Sequence, residues 1–185
     1  YFSSKRKLAP IDLLEKIRGS QLTEYEQMVT VRHFTATGFV ISENHLALHW
    51  HPKVKAWLPP GGHIEVNEDP VQAVLREIKE ESGLDAEIIP TGSKLDLDYP
   101  KSIMPPFTIM IEDINDPIQG YHQHIDMIYF CKSITKLPSM KKGWHWINRS
   151  NLLAGESIEG EHKIRPPPPK DVRNLAEKAF SLNQK

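Results

Sequence analysis

Glu77, Glu80 and Glu81 stand at i, i+3 and i+4, a spacing that places three carboxylates on one arc of a helix. Left alone, like charges at that spacing repel by about 0.2–0.5 kcal/mol per pair. A hard divalent cation reverses the sign of that interaction. Oxygen-only ligands suit magnesium or manganese, which hold carboxylates and phosphate oxygens together. The competing reading is a solvated acidic face, the commoner fate of a charge cluster.

The element that must carry them is legible. Asp69 is a good N-cap, Pro70 suits the first helical position, and Gln72 stands three residues after the cap. Gly83 suits the left-handed position past the end. Val71, Val74, Leu75 and Ile78 form one apolar stripe. The pattern predicts a helix over 69–83, with its acidic arc beside its core face.

The frame around the carboxylates is more specific than the carboxylates themselves. It reads Gly62, five residues, Glu68, seven residues, Arg76-Glu77-Ile78, one residue, Glu80-Glu81, one residue, Gly83-Leu84. This resembles the Nudix box at every defining position. The likeness is sharp over 62–84. It extends more loosely over about 34–150, through Trp57-Leu58-Pro59-Pro60-Gly61-Gly62 and Trp144-His145-Trp146-Ile147. The first 30 residues and the last 20 lie outside it.

The resemblance implies an α/β fold, an α/β/α sandwich around a central mixed sheet. It implies hydrolysis of a nucleoside diphosphate linked to another group, using Mg2+ or Mn2+. By position, Glu77, Glu80 and Glu81 would be metal ligands, with the carbonyl of Gly62 as a backbone ligand. Glu68 and Gly83 would be structural, and Arg76 would orient a Glu through its planar fork. The general base is left open by the box. Glu77 or Glu80 are candidates, as are the loop carboxylates Glu112, Asp113, Asp116, Glu156 and Glu159. Two other classes compete: a nucleotide-binding regulatory module with little turnover, and an interaction module whose terminal extensions mediate dimerisation. The partner expected is a small nucleotide-derived substrate, on a monomer or homodimer.

Outside the box, His122, His124 and Asp126 alternate, so a strand would put them on one face, with Ile125, Met127 and Tyr129 on the other. That face could touch substrate phosphate or a metal. The HxHxD pattern also resembles a branch of the same superfamily whose substrate is unassigned. A zinc site needs three or four converging ligands, more than this segment offers alone. Lys53 and Lys55, in the loop leading to the box, are candidates for phosphate contact. His49 and His51 read as mostly exposed, and Trp57 as packing. Phe34, Phe39, Trp50 and Tyr99 are all possible platforms for a base. Pro100 and Tyr99 hint at two different substrate classes and decide neither.

The remaining elements follow from pattern. Residues 10–28 read as a helical extension. A hairpin is expected over 34–42 and 45–50, then a Pro/Gly-rich loop over 52–63. Strands are expected at 88–93, 107–111, 125–131 and 144–147, with 94–106 irregular and 112–117 a turn. A helical turn follows Asn148. Four prolines at 166–169 form an extended connector before an amphipathic helix bearing Val172, Leu175, Ala176 and Ala179. The organisation predicted is an extension over 1–30, a Nudix domain over 31–165, and a connector plus packing helix over 166–185.

Composition sets the outer limits. With 185 residues the chain suits one domain with a real core. Lys plus Arg is 23 against 24 for Asp plus Glu, so no basic surplus exists to hold a nucleic acid polymer. The single cysteine, Cys131, excludes an intrachain disulfide and a multi-cysteine zinc site. No apolar run approaches the ~20 residues of a membrane helix. A soluble, cytoplasmic setting is the expectation.

Overall fold

The computed structural model describes residues 30–160 and 163–183. The helical extension expected over 10–28 lies outside the described residues.

Two long strands form the spine. β1 (Arg32–Ser42) pairs in parallel with β7 (Gly120–Ser133) from Arg32↔Gln123 to Ile41↔Lys132. β1 turns back into β2 (His45–His51) as the expected hairpin, with Ile41 opposite Leu46. β8 (Trp144–Asn148) lies antiparallel along β2, and β5 (Ala86–Ile88) and β6 (Thr108–Asp116) lie antiparallel along β7. The result is one mixed eight-stranded sheet.

The residues of β1 and β7 alternate between two cores. Phe39, Ile41, Ile128 and Phe130 face one cluster, and Ala36, Val40, Tyr129 and Cys131 face the other. On the second side lies α1 (Pro70–Glu77), continued by a π-helical turn over Ile78–Ser82. Its Val74 and Ile78 are fully buried there. Gly38 permits this approach, since a Cβ there would stand 2.7 Å from Ile78 Cδ1. On the first side pack α2 (Arg149–Ala154) and α3 (Lys170–Leu182). Leu152, Val172, Ala176, Ala179 and Phe180 of these helices are buried against the sheet. Helices on both faces of a mixed sheet make the α/β/α sandwich.

Four expectations need correction. The segment 52–63 is not all loop: it contains β3 (Ala56–Leu58), paired with β2, and β4 (Gly61–His63), paired with β1. Glycine allows the second pairing, because a Cβ on Gly61 would meet Thr37 Oγ1 at 2.6 Å. The strand expected over 88–93 is β5, shorter and earlier, and Pro90 has no N–H with which to extend its ladder. The acidic 112–117 is not a turn. It continues β6, half-burying Glu112, Ile114 and Asp116 and exposing Asp113 and Asn115. The turn comes after it, where Asp116 Oδ1 accepts from the N–H groups of Ile118 (2.8 Å) and Gln119 (3.0 Å). The last turn of the predicted helix is π rather than α. β9 (Ile158–Glu159) and β10 (Ile164–Arg165) form a separate small ladder. Among the described residues no helix is long and apolar enough to cross a membrane.

Candidate active site

The caps of the site helix form as its sequence demands. Asp69 Oδ1 accepts from the N–H groups of Val71 (3.0 Å) and Gln72 (2.9 Å), and Gln72 Oε1 accepts from Asp69 N–H at 2.9 Å. Gly83 ends the segment at φ 80, in the left-handed region. Between them Ser82 Oγ donates back to the Ile78 carbonyl at 2.6 Å and accepts from Leu84 N–H at 3.2 Å. The π turn is wider than an α turn and holds Glu80 and Glu81. Glu81 turns inward, its Oε2 accepting from Gly61 N–H at 3.1 Å. The side chain of Glu80 stays 61% exposed.

Arg76 ties the acidic groups together. Its Nε and Nη2 donate to the two oxygens of Glu68 at 2.7 and 2.9 Å, and Nη2 also donates to the carbonyl of His63. Its Nη1 donates to Glu77 at 2.7 Å and to Glu80 at 3.2 Å. The guanidinium's hydrogen bonds hold Glu68 below the usual carboxylate range. Glu81 goes the other way: burial raises its pKa, the Gly61 N–H opposes that, and Glu77 adds to it. Gly62 lies directly against Glu77, whose Cδ would be 2.6 Å from a Cβ at position 62. The backbone at Gly61–Gly62 and the carboxylates of Glu77 and Glu81 therefore meet in one place. Three carboxylates with a neighbouring backbone segment are an oxygen-rich donor set that fits Mg2+ or Mn2+.

Gly61, Gly62 and Glu81 of this group line a cavity of about 560 Å³ on the α3 side of the sheet. Thr35, Thr37 and Asp126 form its floor, Glu112 and His124 one wall, and Asp171, Val172 and Leu175 of α3 another. Asp126 is 3% exposed, and Thr35 Oγ1 donates to it at 2.9 Å. Burial raises its pKa, with the hydroxyls of Thr37 and Thr35 pulling it back. Glu112 is pushed up to about 7, first by burial, then by Asp126 and Asp171.

The alternation at His122, His124 and Asp126 holds, and all three lie on the cavity face of β7. Only His124 and Asp126 reach the cavity, while His122 is 3% exposed beside it. Lys55 does not line the cavity. Its N–H closes the β2–β3 turn onto the His51 carbonyl at 2.8 Å, and its φ is 56. Its side chain is exposed. His49 and His51 are half-buried rather than mostly exposed and do line it, with His49 stacked on Trp144 at 4.5 Å. Trp57 is fully buried. Phe39 lines the cavity from within the core, Trp50 is covered by Arg165 at 4.7 Å, and Tyr99 is 90% exposed. Of the five loop carboxylates, Glu112 and Asp113 line the cavity, and the Asp113 carboxylate is taken by Tyr121 (2.6 Å) and Gln123 (2.9 Å).

Sequence reasoning missed His33 and His63. His33 on β1 stands opposite His124, and His63 opposite Thr35. His33 lies on the strand beside the HxHxD strand, and His63 on β4, which pairs with the other edge of β1, an order that only the sheet reveals. Burial and the neighbouring imidazoles lower the pKa of His63, and lower that of His124 to about 4.

Comparison with known proteins agrees with this geometry. The NUDIX domain family matches residues 31–157, and the chain belongs to that family. Over 98 residues it is 35% identical to a Lactococcus lactis protein described as "Probable DHNTP pyrophosphohydrolase". The match covers 53% of this chain, and the chain spans about half (52%) of the length of that curated relative. A crystal structure of a NUDIX-family hydrolase from Clostridium perfringens superposes with a TM-score of 0.63 at 28% identity. That match covers 82% of this chain and 98% of the other.

Proposed function

We propose that this chain is a divalent-cation-dependent hydrolase that cleaves the phosphoanhydride linkage of a nucleoside diphosphate derivative. The observation that carries the proposal is the meeting of Glu77 and Glu81 with Gly61–Gly62 at the edge of the cavity. The family membership and the name of the L. lactis relative support it.

In this reading Glu77, Glu80 and Glu81, with the Gly62 carbonyl, hold Mg2+ or Mn2+. When bound, such an ion neutralises phosphate oxygens and lowers the pKa of a bound water. The chain's own residues do the rest. Arg76 fixes the rotamers of Glu77 and Glu80 and is itself braced by Glu68. The cavity floor of Thr35, Thr37 and Asp126 receives the part of the substrate beyond the diphosphate. Glu112, with its pKa near neutrality and its carboxylate in the cavity, is suited to accept the proton of an attacking water. The substrate is a small molecule, in keeping with the volume of the cavity.

The test is phosphate release, with and without a coupling phosphatase, from (d)NTPs, ADP-ribose, sugar nucleotides, dinucleoside polyphosphates and NADH, in magnesium and again in manganese. One strongly preferred substrate whose hydrolysis stops with EDTA supports the proposal. Tight nucleotide binding with no metal-stimulated release would support a regulatory module instead.

A further inference from the structure

Four imidazoles converge at one end of the cavity face. His33 comes from β1, His63 from β4, and His122 and His124 from β7. One ligand nitrogen from each of His33, His122 and His124 lies within 4.8 Å of those of the other two. His33 Nδ1 and His63 Nε2 are 3.1 Å apart and share a hydrogen bond. The ring centroids of His122 and His124 are 5.1 Å apart, and those of His63 and His124 5.0 Å.

Among the described residues, the hydrogen bonds around this cluster leave Nε2 without a partner on His122 and His124. His122 Nδ1–H donates to the Gly120 carbonyl at 3.0 Å, which leaves Nε2 as its lone-pair nitrogen. His33 is held through Nδ1 by His63, and in the tautomer that donates from Nδ1 its lone pair is on Nε2. His124 Nε2 is buried and has no hydrogen-bond partner among the described residues. A buried nitrogen left without a partner is costly unless something fills the place. Three imidazoles each offering a nitrogen within reach of the others, two of them oriented through Nδ1 by a hydrogen bond, form the arrangement of a histidine metal site. Nitrogen donors disfavour magnesium and suit zinc. A tetrahedral zinc with Zn–N bonds of about 2.0–2.1 Å sets its nitrogens about 3.3 Å apart, which small ring rotations reach from the present spacing.

We propose that His33, His122 and His124 bind a zinc ion through Nε2, with His63 positioning His33, at a site separate in ligand chemistry from the carboxylates of the helix. The site adjoins the cavity, since His63 and His124 line it. Three protein ligands leave a fourth coordination position for water or an anionic oxygen. This inference is independent of the hydrolase reading, because it concerns zinc alone.

The test is a Zn2+ titration of the full chain, stripped with EDTA and dialysed, in millimolar Mg2+ against a chromophoric chelator. Co2+ as a second probe reports tetrahedral nitrogen coordination by its visible absorption. The expected result is one Zn2+ per chain at sub-micromolar Kd, undisturbed by Mg2+ and retained in Glu77→Gln. His124→Ala and His33→Gln should each weaken it about a hundredfold or more, and His63→Ala about 10–100-fold. His33 is only partly buried, so its variant keeps the fold even if a β7 variant does not. Folded protein that takes up no Zn2+ below millimolar concentration would overturn the proposal. So would zinc that is lost in Glu77→Gln and kept in His33→Gln, which would place it at the carboxylates.

Discussion

Arg76 grips both oxygens of Glu68, at 2.7 and 2.9 Å, while the remaining nitrogen of the same guanidinium reaches Glu77 at 2.7 Å. One planar fork thus links the loop after β4 to the helix. A lysine has no planar fork with which to grip both oxygens of Glu68 while reaching Glu77. Arg76→Lys should lower kcat about 10–100-fold, the range for a group that orients metal ligands, with a smaller change in KM. The ion pairs are partly solvated, so stability should fall by no more than about 1 kcal/mol. Steady-state kinetics and a denaturant titration read the two effects separately.

Gly62 has no room for a side chain beside Glu77. In Gly62→Ala the carboxylate must move away from the position where Glu81 and the Gly61 backbone converge. Turnover should fall at least tenfold, with Mn2+ binding weakened in parallel, as for other disturbed metal ligands. Electron paramagnetic resonance of added Mn2+ measures the second effect. Unchanged Mn2+ affinity would place the ion elsewhere.

Glu112 couples the cavity to pH. Burial favours its neutral form, so its pKa is about 7 folded against 4.5 for the free side chain. That preference stabilises the fold fully below the lower value and is lost as pH rises through the higher. Glu112→Gln removes the ionisation. Its Tm relative to the parent chain should therefore rise between about pH 5 and about pH 8, measured in chelator to keep metals out. A difference independent of pH would show that the carboxylate ionises freely.

Cys131 is fully buried between the sheet and α1, and burial drives its thiol well above the ordinary cysteine range. Ellman's reagent should find no reactive thiol in the native chain and one after denaturation, matching the single cysteine of the sequence. Rapid labelling of the native chain would contradict the packing of that core.

The local parts of the structure were the readable ones. The capping box at Asp69–Gln72, the stop at Gly83 and the apolar stripe through Val74 and Ile78 are short-range physics, and each is present in the helix. The alternation at 122–126 is equally local. What failed was non-local. Nothing in EDIND distinguishes a turn from a strand until β7 lies beside it and gives Glu112 and Ile114 a face to point toward. His33 and His63 are distant in sequence from His124, and the pairing of β1 with β7 on one side and with β4 on the other makes them neighbours. The π turn, in which Ser82 bonds back to the Ile78 carbonyl, leaves no mark in the periodicity.

The central claim is that the carboxylates of the helix hold the cation that hydrolysis requires. The most direct measurement is turnover of Glu80→Gln beside the parent chain on the preferred substrate in saturating Mg2+, with circular dichroism on both. The account predicts that turnover all but vanishes while the spectrum and Tm remain, since the Glu80 side chain is mostly exposed and contributes little to the core. Full activity in that variant would contradict it.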